Sequence, residues 1–311
     1  MRSRKKITKK TWGEWGFVSL ILVYPILLFC IFYVYVNFNS FLLAFKSIDI
    51  TGAETFVGLS NFKSFLTGIF SNGSLLATSG WNSLRMYFVN LVVSMPLYII
   101  FAYFFFKKCF LHRTLRAIMM IPQILSGFIM SLLFKNFVAN LPGIMASLGV
   151  ENFPNLISNL HYTWGTMIFY MIWISFAYNM VVYPNAMNAI NPEIIESAQV
   201  DGVDNMFSEL WHIILPCIYP TLVTFLVSGF AGALMTAGPL VTFFMYEAHS
   251  SIYTLGYYYT VRTVTDTVGL GYPEMAAGGL LMTLVWAPLT YLVKTLLEKY
   301  GPSEDKAYAK N

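Results

Sequence analysis

Six stretches of this chain are apolar almost without interruption, at about residues 17–37, 84–106, 117–137, 163–183, 217–239 and 275–296. Each reaches the roughly 20 residues that a helix needs to cross a hydrocarbon layer about 30 Å thick. The runs are continuous rather than alternating, so they read as helices and not as barrel strands. Lipid-exposed backbone must satisfy its hydrogen bonds within its own segment, which a helix does. The pattern predicts an all-α integral membrane protein with six transmembrane helices.

Polar and turn-forming residues between the runs set the organisation. Residues 1–16 form a basic leading segment, and 17–81 hold the first span with a following loop that contains the turn-rich pieces "ITGAET" and "SNGS". Residues 82–297 carry the other five spans, and 298–311 read as a solvated tail. The 138–162 connection, with Pro142, Gly143 and Pro154, has room for a short amphipathic helix. The 240–274 connection includes "YTLGYYYTV", whose Tyr257, Tyr258 and Tyr259 are candidates for meeting an outside protein.

Composition agrees with a lipid solvent: 57% of residues are hydrophobic and 11% are charged, against about 25% charged in soluble domains. Arg2, Arg4, Lys5, Lys6, Lys9 and Lys10 precede the first run; Lys107, Lys108, Arg113 and Arg116 lie between the second and third; Lys294, Lys299, Lys306 and Lys310 close the chain. The alternate loops hold only Lys46, Lys63 and Arg262. By the positive-inside rule both termini are expected in the cytoplasm. The first run is longer than a secretory leader's, contains Pro25 and lacks a small-residue cleavage pattern, so it is read as an anchor. Cys30, Cys109 and Cys217 have the spacing of neither a metal site nor a disulfide framework.

The connection from 184 to 216 departs from this charge pattern. It falls on the cytoplasmic side yet has no Lys or Arg, and it carries Glu193, Glu196, Asp201, Asp204 and Glu209. Within it, "PEIIESAQVDG" reads as a helix of about ten residues: Asn191 caps it, Pro192 suits the first position, Glu193 meets the positive end of the dipole and Gly202 ends it. A helix this short is not stable alone and has to dock. Ile194, Ile195 and Ala198 give it an apolar face, and Phe207, Leu210, Trp211 and Ile214 form an amphipathic stripe in a second helix. A hairpin lying on the bilayer is one reading. Interfacial helices favour Lys and Arg, however, and the acids fit a protein-facing helix better.

"PEIIESAQVDG" followed by "WHIILPCIYPTLV" resembles the EAA loop of ATP-binding-cassette (ABC) importer permeases, in particular the maltose-type sugar permeases. Glu196, Ser197, Ala198 and Gly202 fall on the E-A-A-x-x-x-G pattern, with Ser197 replacing its first alanine, and Ile213, Leu215 and Pro216 match its I-x-L-P ending. One residue more than usual separates Gly202 from Ile213. "LMTAGPLVTFFMYE" resembles a segment of the larger maltose permease subunit, and the likeness extends from about Asn82 to Leu296. The resemblance implies a type I ABC importer permease fold in a bacterial plasma membrane. It also implies a heterodimer with a second, similar permease, two ATPase subunits that bind ATP and Mg²⁺, and an extracytoplasmic binding protein that delivers a carbohydrate, best an oligosaccharide. Glu196, Ser197, Ala198, Asp201 and Gly202 would then couple the chain to an ATPase, with Glu196 paired to a base on it.

The residues themselves argue against enzymatic work. The G-x-x-x-x-G-K-[ST] phosphate loop is missing, and His112, His161, His212 and His249 are scattered over connections. No cofactor, metal or nucleic acid is expected to bind this chain. The spans hold few ionisable groups, and Arg85, Lys135 and Lys294 sit near predicted ends, which disfavours an ion-coupled carrier. A neutral polar cargo would use hydroxyl, amide and aromatic partners, and the candidates are Tyr170, Trp173, Tyr178, Asn179, Ser228, Gly229 and Thr236. Alternatives are an importer permease for a non-sugar solute such as a polyol, a membrane scaffold whose acidic hairpin recruits a soluble protein, and a secondary carrier.

Overall fold

The computed structural model describes residues 9–267 and 269–302. Arg2, Arg4, Lys5, Lys6, Lys306 and Lys310, which carry part of the orientation argument, lie outside the described residues. The chain divides into two units, 1–67 with 266–283 and 68–265 with 284–311.

In the first unit, helix α1 runs from Lys9–Leu28 through a π-helical stretch, Phe29–Tyr35, into Val36–Leu43. Phe17, Leu20, Tyr24, Phe32 and Tyr35 are all exposed along it, as expected of a helix whose solvent is lipid. A small antiparallel hairpin follows, β1 (Lys46–Ile48) and β2 (Glu54–Phe56), with Lys46 opposite Phe56. Helix α2 (Ser60–Phe70) holds that hairpin through Asn61, whose amide donates to the carbonyls of Ala44 at 2.9 Å and Lys46 at 2.7 Å.

The second unit is built on helices α3 (Leu75–Phe106), α4 (His112–Ile124), α5 (Gly127–Ser147) and α6 (Leu160–Asn188). They are followed by α7 (Pro192–Val200), α8 (Met206–Cys217), α9 (Tyr219–Gly232), α10 (Leu240–Phe244), α11 (Leu255–Thr265) and α12 (Tyr272–Tyr300). Helix α12 begins in the first unit and ends in the second. Five described helices are long and apolar enough to cross a membrane, and the bent pair α8–α9 makes a sixth if counted as one span.

Two expected spans have different limits from those the hydropathy suggests. The 117–137 run is divided, because Leu125 is extended and the Ser126 hydroxyl caps a new helix by accepting from the Ile129 N–H at 3.3 Å. The span therefore starts at Gly127, and Pro142 and Gly143, expected in a loop, lie inside α5. The 217–239 run keeps only the 14 residues of α9, too few to cross alone, and meets α8 at 70°. Ile218 forms the break between Pro216 and Pro220, which cannot donate backbone hydrogen bonds.

Prolines also explain two of the described π-helical stretches. Asn90–Ser94 runs up to Pro96 and Leu210–Ile214 up to Pro216; each proline removes a donor from the α-helical ladder, and the register shifts. A π turn holds one residue more than an α turn.

Two apolar clusters pack the unit. One joins Tyr98, Ala102 and Tyr103 of α3 to Met180, Tyr183 and Met187 of α6 and to Leu210 and Ile214 of α8. The other joins Met86 of α3 to Phe134 of α5, Met167 and Tyr170 of α6, Phe243 of α10 and Tyr257 of α11. The buried polar residues of α3 are spent on structure. Asn82 donates to the carbonyls of Ser251 at 2.9 Å and Tyr253 at 2.8 Å, and the Ser83 hydroxyl accepts from the Leu255 N–H at 2.8 Å. Gly256, in the first turn of α11, lies against the Met235 carbonyl, where any side chain would collide.

Candidate functional site

Helix α7 forms where the sequence signals place it. The Asn191 side chain accepts from the Glu193 N–H at 3.2 Å, and Pro192 occupies the first turn. At the far end the Val203 N–H reaches the Ala198 carbonyl at 3.0 Å and the Gly202 N–H reaches that of Gln199 at 3.2 Å. This pair of bonds needs a left-handed residue, and Gly202 supplies it with φ +94°.

The helix has one inner and one outer side. Ala198 is buried, and Ile190 and Ile195 pack against the cluster shared by α3, α6 and α8. Glu193, Glu196, Ser197, Asp201 and Gly202 are exposed, and the Ser197 hydroxyl donates back to the Ile194 carbonyl at 3.0 Å. Ile194, expected on the apolar face, is 39% exposed.

The second helix divides its expected stripe. Leu210 and Ile214 are buried, whereas Phe207 and Trp211 are 70% and 60% exposed and stack with ring centroids 6.4 Å apart. Period counting placed all four together, but in the π stretch Leu210–Ile214 the angular step per residue is smaller, and the stripe splits into two. Glu209, one of the five acids of the connection, is buried and paired with Lys107.

Helices α3, α6 and α9 border a half-open cavity of about 330 Å³, within the range of small-molecule sites. From α3 come Met86, Tyr87, Asn90 and Tyr98; from α6, Ser175, Tyr178, Asn179 and Tyr183; from α9, Phe225 and Gly229, with Thr236 beyond it. No carboxylate, amine, guanidinium or imidazole lines it. Several donors are already engaged: Asn179 with the Ser175 carbonyl at 2.8 Å, Tyr87 with that of Leu226 at 3.2 Å, and Thr236 with that of Gly232 at 3.0 Å. Oxygen lone pairs and aromatic faces remain to meet a neutral polar molecule.

Of the pathway candidates, Tyr178, Asn179, Gly229 and Thr236 come together in this cavity. Tyr170 and Trp173 do not. Tyr170 is buried against Phe134 and Phe243, at 4.9 and 5.3 Å between centroids, and Trp173 stands 5.9 Å from Phe134. Ser228 is exposed and does not line the cavity. Tyr257 is fully buried, its hydroxyl accepting from the Ala248 N–H at 3.1 Å, so it offers no surface to an outside protein. Sequence reasoning missed Tyr87 and Tyr98, because an aromatic in a span gives no sign of whether it faces lipid, core or cavity, and it missed Asn90, whose amide within an apolar run was a signal available in the sequence.

Residues 64–302 match the family described as binding-protein-dependent transport system inner membrane component. The chain belongs to this family. As an inner membrane transport component it is similar to the multiple sugar-binding transport system permease protein MsmF of Streptococcus mutans, with 27% identity over 70% of this chain and 72% of that one. It is also similar to the arabinooligosaccharides transport system permease protein AraP of Bacillus subtilis, with 27% identity over 67% of this chain and 65% of that one. In fold the transport component superposes on a chain from the crystal structure of a bacterial ABC transporter involved in the import of the acidic polysaccharide alginate, with TM-score 0.73 and 18% identity over 95% of this chain and 99% of that one. The scaffold and secondary-carrier readings fall away with family membership.

Proposed function

We propose that the chain is one of two permease subunits of an ATP-driven importer and lines half of the pathway for a neutral carbohydrate. A binding protein would deliver the solute on the outer side, and two ATPase subunits would grip helix α7 of each permease on the cytoplasmic side. The observation that carries this is the anatomy of α7: a capped nine-residue helix that packs inward through Ala198 and Ile195 and turns Glu193 and Glu196 outward. A helix this short relies on its packed inner face and its caps for stability, and its outward acids are placed to meet a partner. The names of the sugar and arabinooligosaccharide relatives, and the absence of a charged side chain from the cavity, support a neutral saccharide rather than an acidic one.

In this reading nucleotide binding draws the two α7 helices together and tilts the cavity walls. The ATPase must therefore hold one arrangement more tightly than the other, since an effector shifts an equilibrium only by its differential affinity. The test is Glu196→Lys in the assembled transporter. Uptake is expected to fall by about tenfold or more while the subunits still insert and ATP is still hydrolysed, a loss of about 1.4 kcal/mol or more of coupling. Unchanged uptake overturns the docking role.

A further inference from the structure

We propose that the ion pair between Lys107 and Glu209 is a strut that carries motion of the α7–α8 hairpin into α3, and that both side chains are positioning residues for import. The inference rests on the reading of α7 as the ATPase-docking helix. Lys107 ends α3, with its Nζ 2.6 Å from Oε1 of Glu209 and donating to Oε2 at 2.8 Å. The Glu209 side chain is 6% exposed and that of Lys107 25%. The ammonium also stands over the rings of Tyr103 at 5.8 Å and Phe106 at 5.9 Å. The bond thus joins two elements that the chain itself separates by 102 residues.

An ion pair in such surroundings is poor value as a stabiliser. Apolar residues of similar volume often do as well or better, whereas removal of one partner strands a buried charge. The apolar cluster around it already binds α3 to α8 through Tyr103, Leu210 and Ile214. What the apolar contacts lack is a specific polar link between α3 and α8, which the charge-assisted contacts of the ammonium with both carboxylate oxygens supply. Helix α3 then presents Met86, Tyr87, Asn90 and Tyr98 to the cavity. A displacement at Glu209 therefore reaches the cavity wall along one helix.

The test compares three forms of the full transporter with its binding protein in proteoliposomes, reading solute imported per ATP hydrolysed. Lys107→Met alone is expected to lower assembly, because Glu209 is left charged and buried. Lys107→Met with Glu209→Met should restore assembly and thermal stability, yet consume at least about fivefold more ATP per solute, the lower end of usual coupling factors. A double variant that assembles and imports at the wild-type ratio overturns the strut and leaves the pair a packing feature. In a background with Cys30, Cys109 and Cys217 replaced, Lys107→Cys with Glu209→Cys provides a second measurement. Joining the two thiols with a bis-maleimide should restore the ratio lost in the reduced form, and a joined transporter that still wastes ATP overturns the proposal. Glu196→Lys serves as the control. If it imports normally the docking reading itself has failed, and if it uncouples while both pair variants stay coupled only the strut has.

Discussion

At Gly229 the lack of a side chain makes room for a neighbour. A Cβ there would stand 3.3 Å from the Tyr87 ring, which lies across α9 with its hydroxyl bonded to the Leu226 carbonyl. Gly229→Ala would nudge the ring, and Gly229→Leu would drive it into the cavity. If the cavity is the solute path, uptake by Gly229→Leu should fall about tenfold or more, as misfits of a few methylenes do in specific pockets. Insertion and the basal ATP hydrolysis of the partners should be unchanged, and radiolabelled solute uptake beside an ATPase assay checks both. Tyr170 serves as the contrast. It belongs to the Phe134–Phe243 cluster, so Tyr170→Ala should act through stability, costing about 3–5 kcal/mol as large-to-small core changes do, and should lower the amount of protein in the membrane.

At the scale of single elements, α7 depends on its ends. Gly202→Val forces a branched residue into φ +94° and should cost about 1–2 kcal/mol, while Asn191→Ala removes a cap worth about 1 kcal/mol. Both should weaken capture of the ATPase subunits in pull-down from detergent, Gly202→Val the more. These ends were legible in the sequence because caps and terminal glycines act locally. The membrane helices were legible in type, and in number if the bent pair α8–α9 counts as one span, for the same reason, since each run carries its own hydropathy. Their limits were not. The split at Leu125–Ser126 and the bend at Ile218 arise inside apolar runs, where hydropathy does not change across the break. The cavity was legible only in part, because Asn179 and Gly229 announce themselves as unusual in lipid while Tyr87 and Tyr98 look like any aromatic in a span. Glu209 was invisible as a buried partner: its mate lies 102 residues away, and nothing local distinguishes it from the exposed acids.

For the whole molecule, the chemistry of the cavity bears on the proposed energy source. A lining without carboxylate, amine, guanidinium or imidazole offers no side chain that would readily carry a proton with the solute, and the proposed ATP-driven import needs neither a proton nor a sodium gradient. Import by the complete transporter should therefore persist when a protonophore and a sodium ionophore abolish both gradients, and stop when ATP is withheld. Loss of uptake on gradient collapse with ATP present would contradict this. The same molecule holds α3 at two distant places, by Asn82 on the 251–253 backbone and by Lys107 on Glu209. At 1.5 Å per residue these anchors stand about 37 Å apart. A shift imposed at either anchor has to be met at the other or broken there. Whatever grips the 251–253 loop harder in one arrangement biases the remote anchor by an equal free energy, so traffic along this rod runs both ways.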